Sequence, residues 1–179
     1  TTPVSPSTDA LVVLLTANGA LDVSFNGTGW RSYDFGGSDE QFFGVARAPS
    51  GNWVAAVGYT SNGGEGDEDA TVLILPLAGG SEVAQAVPLA VGADDRFWSV
   101  AFDAQERIYA AGFVTEAGDS RMVVARFTTA GVLDASFGTG GIVTLNVQEA
   151  GTAEAARGLV LQADGKIVIV GAVEAASTQ

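Results

Sequence analysis

Residues 11 to 30, LVVLLTANGALDVSFNGTGW, return almost position for position at 123 to 142, VVARFTTAGVLDASFGTGGI. A chain that repeats itself this closely must fold as stacked copies of one unit, each burying the apolar face of its neighbour. Thr16 answers Thr128, Gly19 answers Gly131, Leu21-Asp22 answers Leu133-Asp134 and Ser24-Phe25 answers Ser136-Phe137, always 112 positions apart. That step holds two units. A second phrase shows it, because FGVARAPSGNWVAAVGY (43 to 59), WSVAFDAQERIYAAGF (98 to 113) and RGLVLQADGKIVIVGA (157 to 172) are three copies of one pattern. Their closing glycines, Gly58, Gly112 and Gly171, lie 54 and then 59 residues apart.

The repeating segments read as short strands joined by glycine turns. In the first unit LVVLLT (11 to 16), WRSYDF (30 to 35), FFGVARAP (42 to 49) and NWVAAVGYT (52 to 60) make four strands, the last two joined by Ser50-Gly51. The second unit supplies 71 to 77, 83 to 91, 97 to 102 and 107 to 114, and its AGGSE connection (78 to 82) lacks the LDxSFxGTG phrase. The third supplies 121 to 127, 141 to 147, 156 to 162 and 166 to 173, with Asp164-Gly165 as its hairpin turn. Only AGTAEAARG (150 to 158) could hold a short helix. The expected architecture is therefore all-β and of β-propeller type, with three four-stranded blades at about 9–60, 69–115 and 120–173. Residues 1–8, with two prolines, read as a linker or frayed start to the 9–179 segment, and the opening TTPVSPSTDA, without methionine, reads as that of a processed or excised piece.

Eight basic residues against 21 acidic ones leave a formal charge of -13, which repels nucleic acid and anionic lipid surfaces. No apolar stretch approaches the roughly 18 residues of a membrane span. With neither cysteine nor histidine, the chain has no thiol nucleophile, no imidazole base and no zinc site of ordinary composition. What chemistry remains must come from carboxylates, hydroxyls and a few cations. The acidic balance, few lysines and many Thr, Ser and Gly suit a secreted or cell-surface bacterial protein.

Three groups of residues stand out as candidate sites. The loop TSNGGEGDEDAT (60 to 71) sets Glu65, Asp67, Glu68 and Asp69 within five residues, and such a cluster could ligate calcium, although its spacing is not that of an EF-hand. A solvated loop is the plainer reading. Trp30, Trp53 and Trp98, with Phe25, Phe43, Phe97 and Phe137, could stack sugar rings but suit packing between blades better. Trp30 is the freer choice for a ligand contact, because Ile142 stands at its place in the third unit. Acidic pairs recur before the third strand of a unit as Asp39-Glu40 and Asp94-Asp95, with Thr152 and Glu154 in the third. Recurrence favours turn acids that accept backbone N–H groups over a catalytic pair, and the same holds for Asp22 and Asp134. No repeat position gathers nucleophile, base and orienting group, so no enzyme is expected.

LDASFGTGG at 133 to 141, DFGGSDE at 34 to 40 and LQADGKIVIVG at 161 to 171 resemble the delta-60 repeat family, a likeness that extends over nearly all of residues 9–173 and is weakest in the second unit. The resemblance implies propeller-like repeats in large exported or surface proteins of bacteria, with no established activity and no family-wide catalytic residues. The reading that follows is a non-enzymatic binding or scaffold module without a required cofactor. Its three blades are expected to be completed by a second copy, which would give six, by a partner chain, or by the rest of a longer parent protein from which the segment is cut, any of which would hide their apolar faces. A calcium-dependent lectin or carbohydrate-active enzyme using the 65–69 cluster is the alternative.

Overall fold

The computed structural model describes residues 7–36, 39–61, 67–90, 92–147 and 153–174. Among them there are twelve strands and no helix: β1 (Ala10–Val13), β2 (Trp30–Tyr33), β3 (Glu40–Arg47), β4 (Trp53–Ser61), β5 (Glu68–Pro76), β6 (Val83–Val87), β7 (Asp95–Phe102), β8 (Ile108–Glu116), β9 (Asp119–Phe127), β10 (Ile142–Leu145), β11 (Glu154–Leu161) and β12 (Ile167–Val173). Every pairing between them is antiparallel. The sheets are not those the repeat units suggest. β3-β4-β5-β6 and β7-β8-β9-β10 are four-stranded, whereas β1-β2 and β11-β12 are two-stranded sheets at either end. Each sequence unit thus straddles two sheets, and the expected three four-stranded sheets are two whole ones and two halves. The predicted short helix also gives way, since Glu154 to Gly158 belong to β11.

The sheets stack face to face, and the alternation of side chains along each strand decides which interface a residue serves. Ala55, Val57, Ala70, Val72 and Ile74 of one four-stranded sheet meet Phe97, Ile108, Ala110, Val123, Ala125 and Phe127 of the next in the main core. The intervening residues point the other way: Ala56 and Leu73 pack on Ala10 and Tyr33 of β1-β2. Likewise Tyr109, Ala111 and Val124 pack on Ala156 and Leu159 of β11. Small residues on the middle strands let the sheets approach closely, and edge-to-face rings such as Phe97 and Phe127 (6.1 Å) fill the wider gaps.

Polar contacts hold the stack in register. Glu106 Oε1 in one hairpin turn accepts the Ser50 N–H of the neighbouring turn (3.2 Å), and Gln85 Nε2 donates to the Gly131 carbonyl (2.8 Å). Arg31 pairs with Glu82 at 2.8 Å, and Tyr33 donates its hydroxyl to the same carboxylate. Burial, with the Glu82 charge beside it, pushes the Tyr33 phenol up to about 12.

Candidate functional site

β3, β7 and β11 run side by side as the first strands of successive sheets. The Leu159 N–H of β11 donates to Ser99 Oγ of β7 (3.1 Å), and a Cβ on Gly44 of β3 would lie only 2.9 Å from the Trp98 carbonyl. Each of the three carries a β-bulge at the same place, where the register jumps between Phe42 and Gly44, Phe97 and Ser99, and Ala156 and Gly158. The bulged residues are Phe43, Trp98 and Arg157. A bulge re-aims one side chain and brings the strand backbone close to its partner, which accounts for the repeat glycines. A Cβ on Gly58 or Gly112 would sit 1.7 Å from the carbonyl oxygen of Gln41 or Arg96, and one on Gly171 2.0 Å from that of Ala155. Only glycine fits opposite the bulge.

The re-aimed side chains form one stacked row. Phe43 lies 4.2 Å from Trp98, centroid to centroid, the Arg157 guanidinium lies 4.1 Å above the Trp98 ring, and Tyr59 extends the row beside Phe43 at 5.7 Å. Arg96 caps Tyr59 at 4.6 Å and pairs with Glu68. These contacts engage Trp98 from the sheets before and after its own, so the row ties three sheets together.

The recurring carboxylates are engaged in the fold. Glu40, Asp95 and Glu154 each begin one of these first strands, and all three are buried, at 1%, 0% and 1% exposure. Asp95 accepts the N–H groups of Ala70 (2.6 Å), Leu89 (3.0 Å) and Ala90 (3.1 Å), and Glu154 accepts that of Val147 (2.9 Å). Glu40 accepts the Thr60 hydroxyl at 3.0 Å. For Asp95 burial outweighs the three donors and raises the carboxyl to about 6. Asp22 and Asp134 accept both N–H and hydroxyl of Ser24 and Ser136, and these bonds hold both carboxyls below the ordinary aspartate value. The expectation of acids holding backbone N–H groups is met at Asp22, Asp95, Asp134 and Glu154, while Glu40 takes the Thr60 hydroxyl and Thr152 lies outside the described residues. The burial of the strand-initial acid is not visible in the sequence, because only the sheet frame shows that position to be interior.

Of the acidic residues at 65–69, Glu65 lies outside the described residues, Asp67 precedes β5, and Glu68 and Asp69 are its first two residues, pointing to opposite faces. Glu68 faces Arg96, and burial pushes its carboxyl up in spite of that pair. Among the described residues no three acidic side chains are grouped to hold a metal ion. Trp30 opens β2 opposite Val13 and is 45% exposed. It does not stand alone. Leu11 (53%), Val13 (47%) and Leu15 (55%) lie near it on one end of the stack, and Val160 (60%), Val168 (38%) and Val170 (63%) line the other. Apart from Trp30, these residues are absent from the aromatic short list drawn from the sequence, and among the described residues they form exposed apolar clusters at both ends.

Residues from the β7–β8 turn through β9 to Phe137 carry the phrases that repeat along the chain. Residues 107–137 match a β-propeller family, described as a domain of unknown function (DUF5122). With its several antiparallel sheets, the all-β chain is propeller-like in architecture. No curated protein matches the chain. Among the described residues no helix is long and apolar enough to cross a membrane.

Proposed function

We propose that the chain is a non-enzymatic binding or scaffold module of a β-propeller, serving recognition and assembly at the bacterial cell surface. One observation carries this reading: both ends of the blade stack present aliphatic and aromatic side chains to water, Leu11, Val13, Leu15 and Trp30 on one and Val160, Val168 and Val170 on the other. Equivalent side chains inside the stack are fully covered, as with Val123 and Phe127 at 0% exposure. Burial of such groups is worth about 1.5–3 kcal/mol each, which favours any partner that can cover them. The carboxylates that could serve chemistry are instead spent on backbone N–H groups and Arg96, which supports a structural role for them.

Light scattering tests the reading. The parent chain is expected to exceed its single-chain mass of 18.1 kDa, and the variant Val13→Glu/Val168→Lys to fall to it. A parent that stays monomeric and unaggregated at high concentration, indistinguishable from the variant, would overturn recognition through these ends. Labelling of intact source cells by an antibody to the chain tests the location, and labelling only after lysis would refute it.

A further inference from the structure

The two half-blades are not alike. Within a whole blade the first hairpin, β7-β8, carries the bulge and its glycine, and the second, β9-β10, carries the LDASF turn between its strands. β11-β12 repeats the first hairpin: its bulge falls at Arg157, its glycine is Gly171, and Gln162 N donates to the Lys166 carbonyl (2.8 Å) as Asp103 N does to that of Arg107 (3.1 Å). β1-β2 repeats the second. Leu14 N donates to Gly29 O as Arg126 N does to Gly141 O, each at 2.9 Å, and Asp22 N donates to Leu14 O as Asp134 N does to Arg126 O. The stack therefore presents the first half of a blade at one side and the second half at the other. Each has what the other lacks.

We infer that two copies of this chain close a six-bladed ring, in which β12 of each copy pairs antiparallel with β1 of the other to build two composite blades. The inference rests on the recognition reading above and names its partner. The described residues hold two whole blades and two halves, the equivalent of three, and two copies of this stretch bring that to six, within the roughly four to eight with which propellers close. Closing the ring pairs the β1 and β12 edges and covers both apolar end faces.

The register follows from β8 and β9, where Ile108 faces Phe127, Ala110 faces Ala125, Ala111 faces Val124 and Gly112 faces Val123. Transferred to the equivalent positions, Ile167 faces Leu15 of the second copy, Ile169 faces its Val13, Val170 its Val12 and Gly171 its Leu11. The exposed groups then acquire the neighbours their counterparts already have. Leu11, Val13 and Leu15 take the places of Val123, Ala125 and Phe127, which lie in the main core at 0% exposure. Trp30 takes that of Ile142, which packs against the same core. Val168 and Val170 take the places of Tyr109 and Ala111, covered by the following sheet.

The absence of cysteine makes the test clean. Directly opposed residues of an antiparallel pair have Cα atoms about 4.5–5.5 Å apart, within disulfide range. The full chain carrying Val12→Cys and Val170→Cys should, on mild oxidation, become a covalent dimer of twice 18.1 kDa with both thiols consumed. Val12→Cys with Ile169→Cys places the thiols on opposite sheet faces and should remain uncoupled. In a separate arm Val170→Lys, exposed in the single chain and so compatible with its fold, should reduce the native mass from two chains to one. A dimer by light scattering in which the Val12/Val170 pair fails to couple would overturn the strand pairing and spare the recognition reading. An unaggregated monomer would overturn both.

Discussion

Adding a single methyl group at Gly112 should unfasten the bulge that positions Trp98. The new Cβ would stand 1.7 Å from the Arg96 carbonyl oxygen and 2.9 Å from the Phe97 Cα, all backbone atoms that cannot rotate aside. Restoring even a 3.0 Å separation requires β7 and β8 to part by 3.0 − 1.7 = 1.3 Å at that point. Ladder bonds of about 2.9 Å stretched by that amount are lost. Two such bonds at about 1 kcal/mol each, plus about 1 kcal/mol for the disturbed stacking of Trp98 with Phe43 and Arg157, give a loss of about 3 kcal/mol. For a chain of this size that lowers the melting temperature by about 6–12 °C. Gly118 is the internal reference. It lies at the exposed β8–β9 turn with φ +81° and nothing within 4 Å of an added methyl, so Gly118→Ala should cost only the left-handed strain, about 1 kcal/mol or 2–4 °C. Thermal melts of both variants at one protein concentration decide the matter. If Gly112→Ala melts no lower than Gly118→Ala, the close approach is not what the repeat glycine serves.

Asp95 predicts a pH dependence. Its folded carboxyl holds a proton up to about pH 6, above the ordinary 3.8, so the folded state binds more protons between these values and stability should fall as pH rises from about 4 to above 6. Urea unfolding should show this decline flattened in Asp95→Asn, and an unchanged slope would place the titration elsewhere. Below about pH 4 the sign reverses as Asp22 and Asp134, held below the usual range by Ser24 and Ser136, take up protons. Arg126 lies 2.9 Å from Asp134, yet Leu14 stands at its place in the first unit, so Arg126→Leu should cost under about 1 kcal/mol and less than Asp134→Ala by denaturant titration. A larger loss for Arg126→Leu would show that the ion pair, not the Ser136 bonds, holds the turn. Melting with EDTA and then with calcium should give one temperature; a rise with calcium would favour a site at Asp67 and Asp69.

Reading the sequence recovers the period of this fold but not its phase. The 112-residue offset and the three glycines mark equivalent points, yet a repeat has no intrinsic origin, and a unit cut at 9–60 looks as regular as one cut at 40–87. Hydrogen bonding sets the origin: β2 and β3 adjoin in sequence but belong to different sheets, and the Asp34 to Asp39 link between them reads like any hairpin turn. The bulges escape notice because one extra residue barely disturbs an alternating pattern. The alanine-rich stretch at 150–158 suggests a helix, but Ala156 and Leu159 pack on Tyr109 and Ala111, and that burial overrides local propensity. The acids at Asp22 and Asp134 are legible because their partners are two residues away, whereas Asp95 draws donors from 25 residues back and from a separate connection.

At the bulge, each blade divides its labour between a fixed hinge and a free signature. Glycine on one strand is sterically obligatory, but the residue it releases on the other is Phe, Trp or Arg in turn. A lineage of such chains could therefore rewrite positions 43, 98 and 157 only as a matched set, altering what the blades offer one another and their surroundings while the glycines opposite stay fixed.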